Sequence, residues 1–247
     1  MHFTDTGSGT PVVLLHAFPL DSRMWDPVRE ALSEVVRLIT PDLRGFGRTQ
    51  AGDAEPSVET LGQDVVALLD ELGLDRAVIG GCSMGGYCAM AALRAAPRRV
   101  SGLLLVDTKA VADTEEAAAN RLKVAERAEA EGTAPWLADT MLPMLLADQA
   151  YAGTVREQME SQSPAAVAWA QRAMAIRMDS RDTLRSAGVD TLVVHGALDK
   201  LMPVPVAQEL AELTGGELQL LPDTGHLPSI ESPGAFLGAV TPWLAKR

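Results

Sequence analysis

Along residues 1–107 and again after residue 188, short uniformly apolar runs alternate with longer stretches whose apolar positions recur every three or four residues. The first pattern suits buried strands and the second amphipathic helices. "PVVLLH" (Pro11–His16) is too short for a helix and predicts a strand. "MWDPVREALSE" predicts a helix, and "VVRLITPD" (Val35–Asp42) a strand that runs into a glycine-punctuated loop. "SVETLGQDVVALLDELG" (Ser57–Gly73) has helical spacing, with Ser57 as its cap and Gly73 as its stop. "AVIGGC" predicts a strand, "GGYCAMAALRAA" a helix closed by Pro97, and "VSGLLLVD" another strand.

The rhythm breaks after Asp107. Residues 108–188 are rich in Ala, Glu, Arg and Met and show no strand pattern, so they predict several helices. One of them, "EEAAANRLKVAERAEAE", is charged nearly all round and predicts a solvated face. Strands and helices then resume as "TLVVHG" (Thr191–Gly196), "PVAQELAEL", "ELQLL" and "GAFLGAVTPWLA". Alternating strands and helices imply a mostly parallel sheet covered on both faces. The expected division is a core of residues 1–107 and 189–247 with a helical cap inserted at 108–188. Reactive side chains of such sheets gather at the carboxyl ends of the strands.

Composition narrows the classes. Hydrophobic residues make up 47% of the 247, enough for a substantial core. A net charge of −12 argues against partners that present phosphates, so neither nucleic acid nor an anionic membrane surface is expected. "MHFTDTGSGT" carries neither the basic nor the apolar region of a signal peptide, and no run is long enough for a membrane span. Cys82 and Cys88 are too close for a useful disulfide, which points to a reducing, cytoplasmic setting. The four histidines lack metal-ligand spacing, and no metal or other cofactor is expected.

Chemistry is sought at the strand ends. Ser83 lies in Gly81-Cys82-Ser83-Met84-Gly85, between a predicted strand and a predicted helix. A sharp turn there needs small residues two positions either side of the serine, and it pushes the hydroxyl out at a helix N-terminus. A serine needs a base, and His226, in a loop after the last strand, is the best placed. His2 and His195 read as structural. The base needs a carboxylate. Asp199, just past "TLVVHG", leads because the order serine, aspartate, histidine suits this architecture. Asp107 is the runner-up, and Asp223 the third choice as a turn residue. Two N–H donors for an oxyanion are expected from Met84 and Phe18, the latter in the loop His16-Ala17-Phe18-Pro19.

"LLHAFPLDSRMW", "PDLRGFGRT", "GCSMGG", "HGALDKLMP" and "GHLPSIESP", in that order, resemble the α/β-hydrolase superfamily over nearly the whole chain. The resemblance implies an α/β fold: a mostly parallel eight-stranded sheet, helices on both faces and a helical cap after the sixth strand. One N-terminal edge strand is expected to be short or missing, since little precedes Pro11. It also implies the triad Ser83, Asp199 and His226 with N–H donation from Phe18 and Met84. Ala17 stands where the family usually has glycine, and Cys82 where a polar or aromatic residue is usual. Dehalogenases and epoxide hydrolases of this fold need a carboxylate at the position of Ser83. What remains is an esterase, a 3-oxoadipate enol-lactonase-like lactonase, a C–C bond hydrolase, a thioesterase, a perhydrolase, or a non-catalytic ligand-binding member. The expected partner is a small ester or lactone. Leu20, Trp136, Met141, Met144, Trp169, Met174 and Met178 are candidate pocket residues, because methionine adapts to irregular apolar shapes.

Overall fold

Strands covered on both faces should be apolar at every position, and two of those in this protein are buried at all six residues: β4 (Ala77–Cys82) and β6 (Thr191–Gly196). A computed structural model describes residues 1–247. The other strands are β1 (Phe3–Thr6), β2 (Pro11–Leu15), β3 (Arg37–Pro41), β5 (Val100–Val106) and β7 (Glu217–Leu221). They form one seven-stranded sheet in the order β1-β3-β2-β4-β5-β6-β7. Only β1 runs antiparallel, paired to β3. The sheet thus has one strand fewer than eight, which agrees with the expectation that one edge strand is short or missing. β1 itself, four residues of "FTDT", is too short and polar to announce itself by alternation.

The helices are α1 (Asp26–Ser33), α2 (Val58–Glu71), α3 (Met84–Ala95), α4 (Glu115–Glu131), α5 (Trp136–Leu145), α6 (Ala152–Glu160), α7 (Pro164–Ala175), α8 (Arg181–Ala187), α9 (Val204–Thr214), α10 (Pro228–Glu231) and α11 (Pro233–Leu244). Ser57 caps α2 by accepting from the Glu59 and Thr60 amides, an arrangement worth about 1 kcal/mol. The helix expected from Met24 starts only at Asp26. A 3-10 turn at Ser22–Trp25, capped by Asp21, precedes it, and Pro27 then occupies the first turn, where its missing N–H costs nothing.

Helices α4–α8 all fall between β5 and β6. The charged face expected on α4 is solvated: only Ala125 and Ala128 are fully buried, and α4 packs along α7. Asp113 ties this stretch together through Lys109 (3.1 Å), Arg121 (2.5 Å) and Arg177 (2.8 Å). Other bonds tie it to the loops that follow the strands. The Gln162 amide nitrogen donates to Asp21 Oδ2 (2.8 Å), while its oxygen accepts from the Gly47 amide (2.9 Å). The Trp169 indole donates to the Ala54 carbonyl at 2.9 Å. The segment is therefore bonded to the carboxyl-end loops of β2 and β3.

Candidate active site

The turn from β4 into α3 bends at Ser83, with φ 53° and ψ −112°. That backbone costs about 1–3 kcal/mol and persists only where its surroundings hold it. Here the Ser83 amide donates to the Val106 carbonyl (2.9 Å), and the Ser83 carbonyl accepts from Thr108 Oγ1 (2.8 Å) and the Gly86 amide (3.0 Å). A β-carbon at Gly81 would overlap the Gly85 backbone, and one at Gly85 would overlap the Leu15 carbonyl. Gly81 is thus required by close approach across the turn, and Gly85 by the closeness of the end of β2. The Ser83 hydroxyl makes no cap bond to α3 and stays available. Met84 opens α3, and its amide has no protein partner.

His226 lies between β7 and α10 and is buried. Its Nδ1 is 2.6 Å from Asp199 Oδ2, and because a carboxylate only accepts, Nδ1 carries the proton. Nε2 is buried with no partner. Cys82 Sγ donates to the His226 carbonyl at 3.4 Å, which seats the histidine beside the residue preceding Ser83. Asp199 Oδ1 accepts from the Leu201 (2.8 Å) and Met202 (3.1 Å) amides. Burial opposes charge on Asp199, but His226 and these amides outweigh it and hold the carboxyl below its ordinary value. Asp223 is exposed, in a left-handed turn with φ 54°, and shapes the loop.

The loop after β2 is pinned at several points. His16 Nε2 accepts from the Leu43 amide (2.9 Å), so Nδ1 carries the proton and donates to the Ala17 carbonyl (3.0 Å). Burial keeps this imidazole neutral by lowering its pKa. The Ala17 amide donates to Met24 Sδ at 3.1 Å. Phe46 packs edge-on against both His16 and Phe18. Amid this bonding the Phe18 amide has no protein partner. Ser229 Oγ donates to the Met24 carbonyl at 2.9 Å, linking this loop to the stretch that follows His226.

Asp107, at the end of β5, sits next to His195 rather than His226. Its Oδ1 accepts from the Gly196 amide (2.9 Å) and lies 3.3 Å from His195 Nδ1. His195 Nε2 donates to the Met202 carbonyl at 2.7 Å. Donor atoms of Asp107, His195 and Asp199 lie within 4.8 Å of one another, close enough to surround a small cation. Asp199, however, already serves one imidazole and two amides.

The candidate pocket residues scatter. Leu20 is core, and Met174 is buried with its sulfur 3.5 Å from Arg121 Nη1. Trp136 and Trp169 are partly buried, each with its indole N–H spent on a carbonyl (Gly132 and Ala54). Met141 packs on the core from its edge, whereas Met144 and Met178 are exposed. A polar cleft of about 380 Å³ lined by Asp21, Ser22, Arg23, Asp42, Gly47, Arg48 and Ser161 does not include Ser83 or His226.

Sequence reasoning did not single out Glu231. Its Oε2 accepts from the Ala147 (2.7 Å) and Asp148 (3.2 Å) amides, and its Oε1 from Leu227 (3.3 Å). The His226 amide donates to the Leu145 carbonyl (2.9 Å). Glu231 therefore straps the inserted helices to the histidine loop. The visible signal was a lone acid five residues after His226, between Pro228 and Pro233.

A family model described as "Alpha/beta hydrolase family" matches residues 12–239. The chain is 28% identical to 3-oxoadipate enol-lactonase 1 of Acinetobacter baylyi, covering 92% of this chain and 85% of that protein. It is similar to a thermophilic esterase from Thermogutta terrifontis, solved with malate bound, at 39% identity and a TM-score of 0.95, over 99% of this chain and 93% of that one. The enol-lactonase from Burkholderia xenovorans LB400 is 28% identical with a TM-score of 0.89, over 98% and 95% of the two chains.

Proposed function

The chain belongs to the alpha/beta hydrolase family, and from that premise we propose that it is a serine hydrolase cleaving a small carboxylic ester or lactone through an acyl-enzyme. The observation that carries the reading is His226: one ring nitrogen is committed to Asp199, and the other is buried and unspent, beside the turn that presents Ser83. Ser83 Oγ attacks the carbonyl carbon as its proton passes to His226 Nε2. Asp199 fixes the tautomer and stabilises the imidazolium. The free Phe18 and Met84 amides receive the oxyanion. Collapse expels the alcohol, which takes the proton from His226. Water then attacks the acyl carbon with His226 again as base, and Ser83 is released with the acid. These steps need no cofactor.

The esterase and enol-lactonase names of the relatives support ester or lactone over C–C bond cleavage. We assign residues 108–188 as a cap over the site, on the bonds it makes to Asp21, Gly47 and Glu231. Its pocket-facing surface is drawn from Met141, Trp169 and Met174, with Leu20 beneath as support. Two unpaired cysteines suit a cytoplasmic setting, and no helix is long and apolar enough to cross a membrane.

Replacing Ser83 by Ala should abolish turnover of a short p-nitrophenyl ester and labelling by a fluorophosphonate, with the circular dichroism spectrum unchanged. Full turnover in Ser83→Ala would refute the assignment. Enol-lactone loss measured against acyl-ester loss then separates the two substrate types.

A further inference from the structure

Behind the proposed triad lies a second buried group that the mechanism above does not use. Asp107 and Asp199 leave the ends of the adjacent strands β5 and β6, and their carboxylate oxygens lie within 4.8 Å of each other and of His195. All three residues are buried. The partners are unequal. Both Asp199 oxygens are engaged, by His226 and by the amides of Leu201 and Met202. Asp107 has one oxygen on the Gly196 amide and the other, Oδ2, buried with no partner. His195 Nδ1 is likewise buried and unpartnered, since its proton sits on Nε2 and is donated to Met202.

Two carboxylates this close in an interior cannot both stay ionised without a counter-charge. The other titratable groups around them are His226, Glu231 and the Cys82 thiol, none of which is a fixed cation. Lys200 follows Asp199 directly but turns away, its Nζ donating to the Pro143 carbonyl (2.8 Å). His195, the third member of the cluster, is kept neutral by burial, which lowers its pKa, so nothing there neutralises a second negative charge and one proton must reside on the carboxyls. Oδ2 of Asp107 is the acid oxygen left unspent.

We infer that Asp107 is a positioning residue: a neutral carboxylic acid standing behind Asp199, so that the one negative charge of the pair rests on Asp199, the carboxylate bonded to His226. Burial first, and then the charge of Asp199, push the Asp107 carboxyl well above its ordinary value, in keeping with this geometry. The left-handed backbone of Asp107 (φ 41°) turns the chain from β5 so that its side chain reaches Gly196 on β6. The inference rests on the serine-hydrolase reading for its kinetic consequences, but not for its spectroscopic one.

The direct test is infrared spectroscopy of protein labelled with ¹³C at the aspartate carboxyls. A protonated-carboxyl band should be present at neutral pH and absent in Asp107→Asn. No such band in the wild type overturns the proposal, whether or not the protein hydrolyses esters. In kinetics, Asp107→Ala should lower kcat by about tenfold with KM little changed, the scale on which groups orienting a reactive ligand from behind act. Asp107→Asn, neutral and of the same shape, should recover most of that loss and keep the acid limb of kcat/KM in place. Were Asp107 instead an anion paired with a charged His195, the Asn variant would remove a negative charge near His226 and move that limb to lower pH, which also overturns the proposal. So would loss of activity on chelation restored by a divalent metal, because the cluster would then hold a cation and not a proton. If Asp107→Ala fails to fold, the Asn variant and the infrared band still decide.

Discussion

Two buried histidines, His226 and His195, each lie beside an aspartate at the carboxyl edge of the same sheet, yet their rings are spent differently. His226 gives Nδ1 to Asp199 and keeps Nε2 free. His195 gives Nε2 to the Met202 carbonyl and leaves Nδ1 3.3 Å from Asp107 Oδ1, enclosed within the protein. Burial and an acidic neighbour are common to both, so neither feature marks the base. What distinguishes them is which nitrogen is unspent: Nε2 in His226 and Nδ1 in His195. Cys82, the residue before Ser83, touches the His226 carbonyl.

Substitution separates the two most sharply. His226→Gln should lower kcat on a p-nitrophenyl ester by on the order of 10⁵–10⁶, as expected when serine and histidine act as a unit. His195→Gln should cost less than about tenfold, and its main effect should be on stability, about 1–3 kcal/mol in a urea titration, from disturbing a buried hydrogen bond. Comparable kinetic losses in the two would erase the distinction. Asp199→Asn should follow, at about 10⁴ in kcat, through loss of the productive tautomer.

Gly81→Ala probes the turn that bends at Ser83. It should destabilise by about 3 kcal/mol, because its β-carbon meets fixed Gly85 backbone. Denaturant midpoints matching wild type would show that the turn has room to relax.

The smallest effect is in pH. Asp199 is held below the unfolded carboxyl value of about 3.9, so its contribution to stability is present above that pH and lost as pH falls through its lower folded value. Asp107 is raised, so its contribution is complete below about 3.9 and lost as pH rises toward its folded value. Asp107→Asn should therefore gain stability relative to wild type as pH is raised from 4 to 8. A gap that is flat or shrinks over that range contradicts the assignment of the neutral acid.

Periodicity exposed the sheet because its central strands are apolar at every position, and the glycine turn because steric crowding dictates its residue types. β1 escaped since four half-exposed residues at an edge need no hydrophobic alternation. α10 escaped because a single turn carries no periodicity. At the site, Ser83, His226 and Asp199 were legible as residues following strands, and the structure puts His226 on Asp199 rather than on Asp107 or Asp223. The pocket was not legible. Whether Met144 or Met174 turns inward depends on how α4–α7 settle on one another, and both are apolar residues within helical runs. Glu231 was hidden for a related reason: its partners are backbone amides, which leave no trace in side-chain chemistry.

That strap has an evolutionary corollary. Because the Glu231 carboxylate grips Ala147 and Asp148 while Leu145 holds the His226 amide, the inserted helices and the His226 loop share fasteners. A segment transplanted from a relative in place of the proposed cap must bring a matching 145–148 turn, or the seating of His226 will be lost with the exchange.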